Sequence, residues 1–355
     1  MRALLVSLLA ASTAFAGHVY IGAWQKQIIV FDEDTEKIVD RIQLANDVPN
    51  GLMLSNDRKK LFVMNAKDAA IEVVDLQTRK VENQFVLNEG NTRIRFFGMA
   101  ADPEGKLLYG SSITVTKEID RFSIGKNRFH VIDLAQKKIV KTHDMPAEDQ
   151  NAFRRGAGFR VSPDGKYLYV FRDVIKIYDT TDFKEVDKID LSKPDNPDME
   201  RVSFGGGDDP HADPATIISV FNSSDPIVHR NIFGIARFDL NNRRFEFTPV
   251  GPTTGGMMGL RLSPDRKRGY TVGMSGSGGN LRYEFIVFDM ATKQIVKRQD
   301  FPGRTRLSFG ISGNGKNLYI YGAGETLELY DSATLMHRKT IDLEADTTTG
   351  MVVVP

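Results

Sequence analysis

The sequence predicts an all-β fold, a seven-bladed β-propeller of four-stranded antiparallel blades in which the C-terminal strand closes the first blade. Three observations predict it: a strand motif that occurs seven times, a polar turn that precedes this motif in most repeats, and a C-terminal tail that resembles the innermost strands of the interior repeats. A repeat of about forty residues made of short strands and turns is typical of one propeller blade.

The strand motif is a short β-branched or aromatic run that ends in aspartate and is soon followed by a turn residue and Lys or Arg. Its aspartates are 42 to 60 residues apart, so the shortest repeats give the size of a blade and the others carry insertions. The seven aspartates are Asp32, Asp75, Asp133, Asp179, Asp239, Asp289 and Asp331.

The polar turns are expected to join the innermost strand of a blade to its second strand. In the turn 162–166, Pro163 presets φ, Asp164 caps the turn and Gly165 tolerates positive φ. Antiparallel strands return every second connection to one side, so these turns and the turns after the motif aspartates share one face. We call it the short-turn face. Equivalent turns begin at Ser55, Asp102, Ser263 and Ser312.

The two ends of the chain fit the same scheme. The first repeat begins at its second strand, 18–23, and lacks an innermost strand of its own. The tail 348–354 resembles the innermost strands near 50–54 and 256–260. We therefore expect this tail to complete the first blade, which removes a free sheet edge.

The opposite face, which we call the long-loop face, carries the connections from second to third strand and those between blades. In the third, fifth and sixth blades the segments 111–128, 223–231 and 274–282 are much longer than the two-residue connection 172–173 of the fourth. Insertions gathered on one face of a repeat protein commonly mark its binding surface. The segment 205–215 is an exception, because it belongs to the short-turn face.

Aromatic and Arg side chains are the usual anchors of protein interfaces, and several are expected near the long-loop face. One of the neighbours Phe96 and Phe97 is expected in the core, since adjacent strand residues point to opposite sides. A solvated loop is the alternative for the Arg pair 154–155. The candidate residues of a partner or pocket face are Trp24, Arg95, Phe97, Arg154, Arg155 and Arg306.

Composition excludes several functions. The 355 residues include 47 Lys or Arg and 46 Asp or Glu, so there is no general electrostatic attraction to nucleic acid or to an anionic membrane. The absence of Cys excludes disulfides, thiolate metal sites, thiol nucleophiles and covalent attachment of c-type haem within this chain.

The N-terminus is typical of a secretory signal peptide. Met1 and Arg2 precede an apolar run, and Ala14-Phe15-Ala16 forms an Ala-x-Ala cleavage pattern. The alternative is a buried first helix. We expect cleavage after Ala16, with residues 1–16 as signal peptide, residues 17–355 as the propeller, and a periplasmic or secreted product. No later segment is long and apolar enough to predict a membrane span.

No motif assigns a catalytic residue or a metal ligand set. None of the six histidines is spaced with another as a metal pair, and there is no Gly-x-Ser-x-Gly elbow of a serine hydrolase. The loop 208–213 contains three aspartates and could hold a hard cation, or it could be an ordinary polar loop.

The segment 161–170, Val-Ser-Pro-Asp-Gly-Lys-Tyr-Leu-Tyr-Val, resembles the YVTN-type propellers. Four longer segments resemble the β subunit of quinohemoprotein amine dehydrogenases, and their order, the third-blade insertion and the total length strengthen that likeness. The chain start at 17–20 is similar as well. The four segments are 97–106, the third-blade connection that ends at 128–133, 235–240, and the region from 318 through 349.

This resemblance implies a non-catalytic subunit of a periplasmic complex that oxidatively deaminates primary amines. In that family a small subunit carries cysteine tryptophylquinone, a dihaem cytochrome subunit takes the electrons, and the propeller is a scaffold without a cofactor. One Trp and no Cys agree with that division of labour. The alternatives are a stand-alone secreted propeller that binds a protein or cell-surface ligand, and a propeller lactonase, for which the sequence offers no metal or acid–base site.

Overall fold

Seven small antiparallel sheets follow one another along the chain and form the blades of a ring, which confirms the predicted seven-bladed propeller. The structure is a computed structural model, and it describes residues 17–65, 69–150, 158–194, 199–204, 211, 213–227, 229–253, 255–304 and 306–355. The predicted signal peptide, 1–16, lies outside the described residues.

In the first four blades, the second and third strands are rich in β-branched and aromatic residues and are almost wholly buried. Their strands, from innermost to outermost, are as follows. Blade 1 has β30 (Thr347–Val354), β1 (His18–Ala23), β2 (Gln27–Asp32) and β3 (Lys37–Gln43); blade 2 has β4 (Pro49–Leu54), β5 (Lys60–Asn65), β6 (Ala70–Asp75) and β7 (Lys80–Val86); blade 3 has β8 (Thr92–Ala101), β9 (Leu107–Lys117), β11 (Arg128–Asp133) and β12 (Lys138–Asp144), with β10 (Phe122–Ile124) paired to β9; blade 4 has β13 (Gly158–Val161), β14 (Tyr167–Phe171), β15 (Val174–Asp179) and β16 (Glu185–Asp190).

The last three blades repeat this order, with shorter innermost strands in blades 5 and 6. Blade 5 has β17 (Ser203–Phe204), β18 (Thr216–Ser224), β19 (Asn231–Asp239) and β20 (Arg244–Pro252); blade 6 has β21 (Gly256–Met257) and β22 (Arg261–Leu262) on β23 (Arg268–Ser275), then β24 (Arg282–Asp289) and β25 (Ile295–Phe301); blade 7 has β26 (Ser308–Ile311), β27 (Asn317–Tyr321), β28 (Thr326–Asp331) and β29 (His337–Asp342). The seven motif aspartates all end the third strand of a blade.

The ring closes as the sequence predicts, because β30 pairs antiparallel with β1. Val353 lies opposite Val19, and a register shift separates the pairs at Ile21 and Ala23. Val352 and Val353 are both buried. The first blade is therefore built from both ends of the described chain.

The core of the described part lies between neighbouring blades rather than at the centre of the ring. Its buried apolar residues form seven clusters, one for each contact between adjacent blades. Aromatic pairs are frequent there; the rings of Phe129 and Phe183 stack at 4.9 Å between blades 3 and 4. The outermost strands, by contrast, alternate exposed and half-buried residues. No helix of the described residues is long and apolar enough to cross a bilayer.

Candidate functional site

The short-turn face is formed by turns whose polar groups are satisfied within the turn. In blade 4, the Ser162 hydroxyl donates to Oδ1 of Asp164 at 2.6 Å and accepts from the Tyr167 amide at 2.9 Å. The same arrangement is built on Ser55, Ser263 and Ser312. The serine hydrogen bond holds the pKa of the Asp164 carboxyl below its usual range. These groups stabilise the turns and have little capacity left for a ligand.

The long-loop face differs, because large apolar side chains are exposed at the ends of its connections. They occur in the connections from the second to the third strand of blades 1, 3, 5 and 6. Because successive connections in an antiparallel sheet alternate between its two ends, all four of these connections lie on one face of the ring. These residues are Trp24, Ile119, Phe122, Ile227 and Leu281. Exposed apolar groups that share one surface are typical of protein-interaction sites.

The third-blade insertion is a strand extension rather than a loop. The sequence predicts a long connection over 111–128, whereas β9 runs to Lys117 and pairs with β10, which turns the insertion into a projecting hairpin. At its tip, the Glu118 amide donates to the Arg121 carbonyl at 2.8 Å, and the side chains of the same two residues form an ion pair at 2.7 Å. Ile119, between them, is fully exposed. β-branched and aromatic residues such as Val115 and Phe122 favour strand over loop here.

The predicted candidate residues occupy different places. Trp24 is exposed in the turn between β1 and β2, and Arg306 lies in the connection from β25 to β26; both connections belong to the long-loop face. Arg95 is exposed on β8, with its guanidinium carbon 5.9 Å from the centroid of the Phe97 ring. Arg154 and Arg155 lie outside the described residues.

Phe96 and Phe97 are both half-buried, and their surroundings differ. Phe96 packs against the apolar cluster between blades 2 and 3, and its ring meets His130 edge-on at 6.2 Å. Phe97 is the extra residue of a bulge, because Phe96 lies opposite Ser112 and Gly98 opposite Ser111. Phe97 therefore stands outside the regular alternation of β8.

One connection of the long-loop face is fixed by a buried ion pair. Asp149, in the 3₁₀ turn Ala147–Asp149, accepts from Lys176 Nζ at 2.7 Å and from the Tyr178 hydroxyl at 3.1 Å. Burial, and then the Asp149 charge, raise the pKa of Tyr178. Lys176 also pairs with Glu185 at 2.8 Å. This network attaches the segment after β12 to the third strand of blade 4.

A cavity of about 370 Å³ lies in the central channel, among the innermost strands. Its wall is largely apolar, with Leu52, Val161, Phe309 and Met351 among the lining side chains. It reaches the short-turn face, since turn residue Pro163 is part of its lining. The cavity therefore lies at the other end of the channel from the long-loop face, and none of the described candidate residues lines it.

The principal polar side chains of the cavity come from five blades. Arg58, Arg160 and Arg261 line it together with Asp213 and Tyr321. Tyr321 is buried and accepts a hydrogen bond from the Met351 amide at 2.7 Å; burial raises the pKa of its hydroxyl, against a smaller opposite effect of Arg261. A mostly apolar cavity with a few convergent polar groups can hold a small organic ligand. Sequence reasoning did not single out this site; the available signal was Arg at lumen-facing positions 160 and 261 of innermost strands.

The histidines and carboxylates of the described residues form few arrangements that could act as an acid–base or metal site. Burial lowers the pKa of His130 to about 4, which leaves it neutral, and its Nδ1 lies 3.0 Å from the Thr142 hydroxyl. No group of three or more metal-ligating side chains comes together in the described part of the chain. Of the predicted cation loop 208–213, only His211 and Asp213 are described, so the possible cation site lies mainly outside the described residues.

Comparison with known proteins extends the fold assignment. No family model matches the chain. A segment of 145 residues is 27% identical to Antigen Lp49 of Leptospira interrogans serogroup Icterohaemorrhagiae serovar copenhageni (strain Fiocruz L1-130). That segment spans 40% of this chain but only 29% of the length of that curated relative.

Among solved structures, the chain is similar to the dihydro-haem d1 dehydrogenase NirN in complex with DHE, with a TM-score of 0.55 and 16% identity over 95% of this chain and 75% of that one. It is also similar to hydrazine synthase of Kuenenia stuttgartiensis, with a TM-score of 0.50 and 17% identity over 85% of this chain and 88% of that one. A third similar structure is a putative 6-phosphogluconolactonase of Bacteroides fragilis NCTC 9343, with a TM-score of 0.55 and 16% identity over 97% of this chain and 99% of that one. At these identities the likeness supports the propeller fold alone.

Proposed function

We propose that this protein is an exported scaffold subunit that resembles the β subunit of quinohemoprotein amine dehydrogenases. The assembled complex would oxidatively deaminate primary amines, and this chain would supply no catalytic residue and bind no cofactor or metal itself. Its role would be to hold partner subunits on its long-loop face.

The observation that carries this proposal is the distribution of exposed apolar side chains. Trp24, Ile119, Phe122, Ile227 and Leu281 belong to four different blades, yet they all occur in connections of one face. Apolar and aromatic groups dominate the binding energy of protein interfaces when a partner covers them. A scaffold that holds partner subunits would need such a surface, whereas the described turns of the short-turn face expose one large apolar side chain, Met336.

The chain composition supports partners that carry the cofactors. A small subunit with cysteine tryptophylquinone and a dihaem cytochrome subunit are the partners that the resemblance implies. The chain has no Cys, so it could provide neither the quinone crosslink nor the thioether attachment of haem. Both would be separate chains in the periplasm, reached after cleavage of the signal peptide near Ala16.

The test is native co-purification from the source cell of the tagged, full-length protein. We expect haem absorbance and a small quinone-bearing chain to elute with it. Phe122→Ser should reduce the recovered haem at least about tenfold, since an interface anchor typically contributes 2 kcal/mol or more. Met336→Ser is the matched control, because Met336 is similarly exposed but lies in a turn of the short-turn face. The amount of haem recovered with this variant should equal that of the wild type. A native preparation without haem and without the small chain would contradict the proposal.

A stand-alone secreted propeller that binds a ligand is the second candidate, favoured by the central cavity with its arginines. A part of this chain is also similar to part of a protein named as an antigen, Antigen Lp49. This alternative predicts a monomer without redox partners whose ligand binding depends on Arg160 and Arg261. Arg261→Ala would abolish ligand binding in that case and would leave haem recovery unchanged under the scaffold proposal.

A further inference from the structure

Glu33 is the one position where the first blade departs most sharply from the repeat. It directly follows the motif aspartate Asp32. In four of the six other blades the equivalent residue is buried and apolar, and in blades 4 and 7 it is a half-buried hydroxyl residue, Thr180 or Ser332. The apolar equivalents are Leu76 in blade 2, Leu134 in blade 3, Leu240 in blade 5 and Met290 in blade 6. Glu33 is buried to the same degree, with only 3% of its surface exposed.

The backbone confirms that these positions are equivalent. The Glu33 amide donates to the Gly17 carbonyl at 3.0 Å. In the six other blades the same amide donates to the residue before the second strand. Those acceptors are Lys59, Lys106, Lys166, Ala215, Lys267 and Lys316. Gly17 therefore occupies the position that is Lys in five of the six other blades. In each of those six blades, this position ends the turn that connects the innermost strand to the second strand.

The Glu33 carboxylate connects the first blade to the seventh. It accepts from the Gly313 amide at 2.9 and 3.0 Å and from the Tyr319 hydroxyl at 2.9 Å. Among the described residues it forms no ion pair, and burial raises its pKa. A buried carboxylate without a cationic partner is costly, even when it is hydrogen-bonded.

Gly17 lies directly against this carboxylate. Gly17 is buried, and a Cβ there would collide with Oε2 of Glu33. Because N and Cβ are both bonded to Cα, the Gly17 nitrogen lies within about 5 Å of that oxygen. In the uncleaved chain this nitrogen is a neutral amide. Cleavage after Ala16 would make it an α-ammonium, which carries a positive charge below pH 7.7–8.0.

We infer that the α-ammonium group of Gly17, generated by cleavage after Ala16, forms an ion pair with the buried Glu33 carboxylate and thereby strengthens the closure between blades 1 and 7. The inference rests on the proposed export for the cleavage itself. It explains why a charged residue occupies this position only in the blade where the chain can supply a terminal cation; the other six blades have an apolar or hydroxyl residue there. It also explains why residue 17 is Gly, since any Cβ would displace the carboxylate.

The test compares proteins with defined N-termini. One begins at Gly17 with a free amino group, and the other begins at Thr13, so that residue 17 keeps a neutral amide. Each is made with Glu33 and with Glu33→Gln. We expect the free Gly17 terminus to raise the Tm of the Glu33 protein by at least about 3 °C, and to leave the Tm of the Glu33→Gln protein unchanged. Equal effects in both backgrounds, or no effect in either, would overturn the inference.

Two further measurements keep the test decisive. The pKa of the Gly17 amino group, followed by NMR, should lie above its usual 7.7–8.0 in the Glu33 protein and return to that range in Glu33→Gln. Glu33→Leu restores the residue of blades 2, 3 and 5 and should fold even if Glu33→Gln does not; its Tm should be insensitive to the N-terminus. Mass spectrometry of the exported protein separates the two claims, because a terminus other than Gly17 would refute the processing step whatever the defined proteins show.

Discussion

The two faces of the ring are formed by connections between the same antiparallel strands, yet the side chains of these connections have different roles on the two faces. On the short-turn face, Ser162 and its counterparts satisfy the turn amides with their hydroxyls. On the long-loop face, the hairpin β9–β10 and the turn at Trp24 expose apolar side chains that have no such local role. The difference indicates that one face is built for stability and the other is free to vary, as is common where loops stand on a rigid repeat scaffold.

Both faces depend on closure of the ring, so the largest expected effect comes from the C-terminal strand. Truncation after Thr347 removes most of β30, including the buried side chains of Val352 and Val353. Burial of two Val side chains contributes about 3–6 kcal/mol, which is comparable to the total stability of many domains. We expect loss of the cooperative thermal transition in calorimetry. Deletion of Pro355 alone keeps the strand and should retain the transition; an unchanged melting curve after truncation would refute the closure.

A smaller effect is expected from a single turn of the short-turn face. Ser162→Ala leaves the Tyr167 amide without its acceptor and should destabilise the protein by about 1–3 kcal/mol in urea unfolding at pH 7. Ser277→Ala is the control, since Ser277 is exposed in a long-loop connection and should change stability by less than about 0.5 kcal/mol. Equal costs at the two serines would remove the distinction between the faces.

The same variant has a pH signature with a definite sign. The Ser162 hydrogen bond lowers the pKa of Asp164 in the folded state, so its contribution is complete above the unfolded pKa of about 3.9 and is lost as pH falls through the lower folded value. Ser162→Ala should raise the Asp164 pKa in NMR titration. The stability difference between wild type and variant should therefore shrink below about pH 4; a difference that grows on acidification would contradict this account.

The ring could be predicted from the sequence because each blade carries the same local strand and turn motifs. Each motif aspartate ends a third strand, and the tail 347–354 has the pattern of an innermost strand, so blade number and closure followed from periodicity. The extension of β9 to Lys117 was missed, because alternation in a long insertion does not reveal whether a partner strand such as β10 will pair with it.

The candidate site was less predictable, for physical reasons. The cavity is lined by side chains from at least six blades that are distant in sequence, such as Leu52, Arg160 and Phe309, and no local pattern indicates that they converge. The role of Glu33 likewise becomes visible only when Gly313 and Tyr319 of the seventh blade are placed beside it. Trp24, in contrast, could be assigned to the long-loop face from connection parity, whereas strand alternation did not reveal the bulge at Phe97.

Hydrogen exchange followed by mass spectrometry tests the division between the faces most directly. The full-length protein in its native assembly would be compared with the isolated protein, peptide by peptide. The account predicts protection of the hairpin β9–β10 and of the connections 223–231 and 276–281, with no change in the turns 162–166 and 312–316. Protection of those short turns, with an unprotected β9–β10 hairpin, would contradict it.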